Sequence, residues 1–237
     1  MLVMLNKQLG LKFLLGAIFL QTISISATDY TQLIGDLAKG AVNETYQAGK
    51  IVTGSIAAAV TYGIANDMIT ARVCPEYFTE GFHREALRWM DLSIETRQSL
   101  LNTANVNQIA LWWGVRATWW FGRDLAIPVI CAARIGSWPQ LGMEDIIKPL
   151  AIGLGSLWTA GMVAGGIGYS IAKNNPEFRD EIIRLSGASS IIDNETKCRY
   201  VADTFTHQIG YAGGAAVGAG IVGYTLWQRY KKSKAIL

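Results

Sequence analysis

The sequence predicts an all-α integral membrane protein, a helical bundle of four core transmembrane helices preceded by an N-terminal hydrophobic segment. Three observations carry this. Of 237 residues, 51% are apolar and only 16% charged, whereas soluble domains carry about 25% charged residues. Mean hydropathy is positive, at +0.24. Two long stretches, 149–172 and 208–227, contain no charged residue at all. Lys and Arg number 21 against 18 Asp and Glu, a net charge of +3 that is too even for a nucleic-acid footprint.

Residues 13–27, behind Lys7 and Lys12, form an apolar run that ends in Ser24, Ser26 and Ala27. The run fits a secretory signal peptide and fits an additional short helix equally well. A polar lead-in, 28–50, follows. The membrane domain then occupies 51–230 and includes two partly helical polar segments, 72–105 and 173–206; a basic tail, 231–237, closes the chain. The first span, 51–69, is rich in small apolar residues until Asn66 and Asp67, which fall near one membrane face.

The second span, 106–134, is interrupted by Arg116, Arg123 and Asp124. A charge at the bilayer centre costs about 2.5–3.5 kcal/mol on insertion scales. Trp112, Trp113, Trp119 and Trp120 lie three or four residues from Arg116, and Trp119 and Trp120 likewise from Arg123, so each guanidinium can rest on indole faces. The third span, 149–172, reaches about 36 Å as a helix, enough to cross a hydrocarbon core of about 30 Å. The fourth, 208–227, is closed by Trp227, Tyr230 and three lysines, an interfacial and cationic stop.

Between the spans, Phe82, Ala86, Met90 and Ile94 recur at helical steps over 82–101, with Glu80 and Arg84 placed to pair at i,i+4. Asn175 followed by Pro176 predicts a helix start running to about Leu185, where Gly187 ends it. A second start at Asp193 or Asn194 leads unbroken into the last span. Small residues at spacing four, Gly161 and Gly165 in one span and Gly210, Gly214 and Gly218 in the last, predict close packing of these two helices, because dispersion contacts replace the hydrophobic effect in lipid.

Arg229, Lys231, Lys232 and Lys234 mark the tail as cytoplasmic. Counting back through four spans puts the turn 134–148 inside and both polar segments outside. A cleaved signal would start the mature chain outside, whereas four spans ending inside must begin inside. Either the first hydrophobic run is a retained helix or the tail rule is reversed here.

Residues 62–83 read Tyr-Gly-Ile-Ala-Asn-Asp-Met-Ile-Thr-Ala-Arg-Val-Cys-Pro-Glu-Tyr-Phe-Thr-Glu-Gly-Phe-His. This resembles the signature of an uncharacterised family of small multi-pass bacterial membrane proteins, close to Tyr-x-x-x-His-Asp-Gln-Val-Thr-Ala-Arg-x-Cys-x-Glu-Tyr-Phe-Thr-x-x-His. Trp113, Gly114 and Val115 through Trp119 and Trp120, and His207 with Gly210, Tyr211, Gly213 and Gly214, extend the likeness to about Tyr224. The resemblance implies a four-helix membrane core in a bacterial envelope and no particular activity. The chain departs from the pattern at Asn66, where the family has His, at Met68, where it has Gln, and at Arg116 and Arg123, where it is apolar.

Two constellations could carry chemistry. Asp67, Thr70, Arg72, Cys74, Glu76, Tyr77 and His83 gather where the first span leaves the bilayer, and Arg72 and Glu76 could pair if the helix continues. Arg199, Asp203, His207 and Tyr211 follow one another at four-residue steps on one helix face, where a carboxylate can orient an imidazole. With both histidines on one side, Glu76, His83, Asp203 and His207 form a composite binding or proton site. The alternative for each is a hydrogen-bonded boundary cap. Cys131 reads as buried filler, while Cys74 and Cys198 fall on the same side, as free thiols or as a disulfide.

No phosphate loop, His-Glu-x-x-His, Gly-x-Ser-x-Gly or paired Cys-x-x-Cys occurs, so no catalytic residue and no cofactor is implied. The expected function is that of a non-enzymatic structural or interaction subunit of an envelope assembly, with the lipid bilayer and other membrane proteins or further copies of the chain as partners. The alternative is a small-solute, ion or proton transporter using Asp67, Arg116, Arg123 and Asp124. A metal-dependent enzyme at the outer histidine pair is the weaker third reading. The expected location is the cell membrane, with the bacterial inner membrane favoured.

Overall fold

A computed structural model describes the backbone of residues 27–89 and 106–235 with isolated positions between them, and the side chains from residue 39 to 235 outside 87–92, 94, 97, 98 and 100–105. The hydrophobic run 13–26, Met90 and Ile94 lie outside the described residues. Two units are distinguished, Met1–Tyr46 and Gln47–Leu237; everything below concerns the second.

All regular structure among the described residues is helical: α1 (Ala27–Val73), α2 (Glu76–Thr79), α3 (Gly81–Trp89), α4 (Val106–Arg134), α5 (Met143–Asn174), α6 (Pro176–Leu185) and α7 (Asn194–Lys234). Three helices are long and apolar enough to cross a membrane: Lys39–Val73, Met143–Asn174 and Asn194–Lys234. The expected second span, 106–134, forms as the continuous helix α4, but it is not among these three. Arg116, Arg123 and Asp124 lower its hydropathy.

Local chemistry sets the helix ends. The backbone N–H of Gly142 donates to Asp145 Oδ2 (3.1 Å), and the acidic first turn of α5 faces the positive end of its own dipole. Asn175 caps α6 by accepting from the Phe178 N–H (3.0 Å), with Pro176 as its first residue. Asp193 accepts from both the N–H and the hydroxyl of Thr196 at 2.7 and 2.8 Å and so starts α7. α1 ends at Val73 because Pro75 cannot continue it. Arg72 therefore does not reach Glu76; it donates to the Met68 carbonyl and to Asn107 Oδ1 (2.5 Å). The Glu80–Arg84 pair forms at 3.3 Å, and its helix is interrupted before Phe82 by Gly81. That glycine adopts φ +56°, and a Cβ there would meet the Ser186 carbonyl at 2.5 Å.

α1, α4, α5 and α7 alternate in direction, as the contacts at the two ends require. At one end Lys50 pairs with Glu144 (3.3 Å) and Lys232 with Asp145 (3.0 Å). At the other Ser190 donates to Glu80 (2.7 Å) and Tyr169 to Glu195 (3.0 Å). Both polar segments thus share one end of the bundle. The outward faces carry Ile152, Val163 and Ile167 on α5 and Leu226 and Trp227 on α7, all exposed, the inside-out pattern expected when lipid is the solvent.

Glycines let the helices approach. A Cβ on Gly165 would strike the Thr206 hydroxyl, and one on Gly161 would stand 3.4 Å from the Thr206 carbonyl, so α5 and α7 touch through these two residues. The spaced glycines of α7 face mainly elsewhere: Gly210 opposes the Tyr62 hydroxyl at 3.3 Å, Gly214 opposes Phe121, and Gly218 opposes Leu125, while Gly213 between them receives Leu157 of α5. Gly63 and Gly114 bring α1 and α4 together, and the Cβ that Gly63 lacks would lie 2.5 Å from the Gly114 carbonyl.

Arg229 is 1% exposed and donates to four carbonyls: Ala132 (2.6 Å), Ile135 (2.8 Å), Trp138 (2.9 Å) and Pro139 (2.9 Å). It caps the negative end of α4. Although its position suggests a solvated tail cation, it is the most deeply buried charge of that end.

Candidate functional site

Where α1, α2, α3 and α7 meet, the polar residues of both sequence constellations converge. Asn66 and Asp67 occupy the last two turns of α1, and the Asn66 amide donates to Asp67 Oδ1 (3.3 Å) and approaches His207 Nδ1 (3.5 Å). An amide N–H can only donate, so this contact is a hydrogen bond only in the tautomer whose Nδ1 accepts and whose proton sits on Nε2. That Nε2 lies 4.0 Å from Asp67 Oδ1, an ion-pair distance too long for a hydrogen bond. His207 is held flat: the Tyr77 ring stacks on it at 4.5 Å with 2° between the planes, and Phe78 meets it edge-on at 5.6 Å. Tyr77 also touches His83 (4.6 Å), whose ring stands perpendicular to Trp113 (4.7 Å). The kink at Pro75 carries Tyr77 and Phe78 over the bundle end, and Gly81 turns the chain so that His83 follows them in.

Burial sets the electrostatics outside the spans. It lowers the His83 pKa to about 4, with a hydrogen bond to the Tyr77 backbone opposing the shift, so this imidazole is neutral at physiological pH. Burial first, then the negative charges of Asp203 and Glu76, push the Cys74 thiol up. The thiol rests 3.4 Å from Glu76 Oε2 and 3.9 Å from the Thr196 carbonyl; held protonated, it is a poor nucleophile. Tyr77 is likewise raised well above its usual value, mainly by burial.

Below this cluster opens a cavity of about 690 Å³. Its polar end is formed by Asn66, Asp67, His83 and His207, and its middle by Tyr62, Tyr211 and the tryptophans and phenylalanine of α4, while Leu150, Leu154 and Leu157 of α5 line the rest. Arg116 and Arg123 also border it. Arg123 is engaged, paired with Asp124 at 2.8 Å and lying over Trp119 at 5.2 Å. Arg116 makes no hydrogen bond or ion pair among the described residues, and no indole face supports it there.

Four buried polar atoms at or beside the polar end meet no partner: Asn66 Oδ1, His83 Nδ1, His207 Nε2 and Asp203 Oδ2. Asp203 does not pair with Arg199, which turns to Glu195 (3.9 Å) and to Thr196. The column on α7 is therefore divided. Its outer cation serves the helix start, its carboxylate and imidazole are buried, and Tyr211, half exposed, borders the cavity.

The chain matches no family model, no curated protein and no solved structure. The likeness of 62–83 to the bacterial family rests on that motif alone.

Of the residues singled out in the sequence, Asp67, Cys74, Glu76, Tyr77, Asp203, His83 and His207 gather at one end of the bundle, and Arg72 stands apart on Asn107. Cys74 and Cys198 are free thiols in different core clusters, and Cys131 is exposed where buried filler is expected. No group of three or more His, Cys, Asp or Glu among the described residues is placed to hold a metal ion. Sequence reasoning treated Asn66 only as a departure from the resembled motif and passed over Tyr62, Phe78 and the cavity. Tyr62 and Asn66 share the inward face with Asp67 by helical spacing, and that is the signal that could have found them.

Proposed function

We propose that this protein binds a small amphipathic solute within the bilayer and carries it across the membrane. The supporting observation is the cavity of about 690 Å³ between membrane-spanning helices, apolar along most of its length, with unpartnered Asn66 Oδ1 and His207 Nε2 at one end. Buried polar atoms are normally satisfied, so a site that leaves several unmet is shaped for a guest that brings hydrogen-bonding groups. The transporter reading therefore gains over the structural-subunit reading, whose motive was the glycine-lined surfaces. Gly161 and Gly165 are consumed inside the chain against Thr206, and Gly210, Gly214 and Gly218 receive its own side chains. A homo-oligomer in a bacterial inner membrane remains compatible with this role, as does an N-terminal signal segment.

Quenching of tryptophan fluorescence by 10-bromodecanol, an apolar chain with one hydroxyl, tests the reading in protein held in mild detergent, because Trp113, Trp119 and Trp120 border the cavity. Saturable quenching of a minority of the emission is expected, and Ala59→Phe or Gly214→Leu, which fill the space, should abolish it. Quenching that rises linearly and equally in all three proteins would count against a binding cavity.

A further inference from the structure

The polar end of the cavity holds more negative than positive groups. Asp203 stands within electrostatic reach of Asp67 and Glu76, and no Lys or Arg among the described residues pairs with any of the three. Among the described residues the basic side chain that approaches Asp67 is His207, at 4.0 Å. Asp67 is 5% exposed, Asp203 2% and His207 9%. Two buried carboxylates and a half-buried third, gathered without a Lys or Arg at the edge of a low-dielectric core, repel one another while charged, so the cluster calls for a cation. Among the described residues no three His, Cys, Asp or Glu side chains are grouped to hold a metal ion. The proton is the cation that needs none.

We infer that Asp67, Asp203 and His207 form an exchangeable proton site, and that the proton is the ion this carrier couples to its solute; the coupling rests on the transport reading above. Three features support exchange rather than a fixed structural proton. Asp203 Oδ2 has no hydrogen-bond partner that a permanent carboxyl would need. His207 Nε2 lies 4.0 Å from Asp67 Oδ1 with no hydrogen bond of its own, so the charge state of the carboxylate is felt by the imidazole without a fixed bond locking the proton in place. Asp67 and His207 both border the cavity, which gives the proton a route. The step is simple: a proton from water adds to a carboxylate oxygen to give a neutral carboxyl, and its departure restores the carboxylate.

The groups that face this site come from every element around it. They are Tyr62 and Asp67 of α1, Cys74 at its exit, Glu76 and Tyr77 of α2, His83 of α3, and Asp203, His207 and Tyr211 of α7. Arg116 of α4 borders the same cavity, and α5 contributes only leucines to it.

Infrared spectroscopy of the full-length protein in lipid vesicles tests the inference directly. Exposed carboxylates are ionised at pH 7, since their usual pKa values are about 4, so the expected result is a protonated-carboxyl stretch that persists at pH 7, shifts in heavy water and disappears on alkalinisation. Asp203→Asn and Asp67→Asn should each weaken it. His207→Gln should move the titration without removing the band. Should a variant fail to fold, the wild-type titration alone still decides. Coupling is read from the same 10-bromodecanol assay: the wild-type affinity should change at least threefold across that titration and stay flat in Asp203→Asn. Probe binding without a titrating band at pH 7 overturns the proton site and leaves the cavity reading intact. A titrating band without probe binding at any pH overturns the solute reading and leaves the proton site. A pH-independent affinity beside a titrating band overturns the coupling.

Discussion

Two side chains show how position in space departs from position in sequence. Arg229 sits among tail cations, yet its guanidinium is sealed against four carbonyls of the α4 end and the following turn. Removing it strands buried acceptors, each worth a charged hydrogen bond, so Arg229→Gln should cost about 3 kcal/mol or more. Arg229→Lys should recover only part, because one ammonium cannot span the fork. Denaturant or thermal unfolding in mild detergent measures both, and loss equal to that of a Lys231→Gln control would contradict the capping role. His83 has the opposite concealment, a histidine that stays neutral. Its folded pKa, about 4, lies below the unfolded value of 6.5. The unfolded chain therefore takes up the proton first as pH falls, and the stability contributed by His83 is full above about pH 6.5 and is lost between there and pH 4. His83→Phe should flatten that part of the pH–stability curve by about 3 kcal/mol; an unchanged slope would show that the imidazole is solvated. Neither role was legible beforehand. The partners of Arg229 lie ninety or more positions away, and the burial of His83 depends on Tyr77 and Trp113 closing over it.

Helices were the most readable level. The caps at Asn175 and Asp193, the unbroken run into the last span and the shared end of the two polar segments follow from local chemistry and hydropathy, and each is present. What local chemistry could not reveal was which helix each glycine faces. Spacing four identifies a groove but not its occupant: Gly210, Gly214 and Gly218 of α7 oppose Tyr62, Phe121 and Leu125, while the α5–α7 contact uses Gly161 and Gly165 against Thr206 and the out-of-register Gly213 against Leu157. The two neighbours Gly165 and Gly166 separate these effects, because nothing lies within 4 Å of a Cβ built on Gly166. Gly165→Leu should destabilise the bundle by about 2 kcal/mol through overpacking, and Gly166→Ala should stay within about 1 kcal/mol of wild type; equal effects on unfolding would place the α5–α7 contact elsewhere. The segment after α1 teaches the same limit. Pro75 announces the helix end, but only the assembled structure shows that it swings Tyr77 onto His207.

At the scale of the molecule, the account joins an apolar exterior, an intramembrane cavity and a carboxylate–imidazole cluster at one end of alternating helices. Free thiols belong to this picture: alkylation after denaturation without reductant should modify all three cysteines, and a mass short of three adducts would reveal the disulfide that the separation of Cys74 and Cys198 into different clusters argues against. Composition alone made lipid the expected solvent, whereas the cavity emerged only from packing, since it is an absence of atoms and no residue encodes it. The two ends of the bundle must then face opposite compartments. Ser190→Cys and Ser233→Cys, one beside Glu80 and the other in the tail, read this directly with a membrane-impermeant maleimide applied to sealed vesicles. The account predicts that one variant is labelled in intact vesicles and the other only after the vesicles are opened. Labelling of both from the same side, or of neither after opening, would contradict a bundle that spans the bilayer.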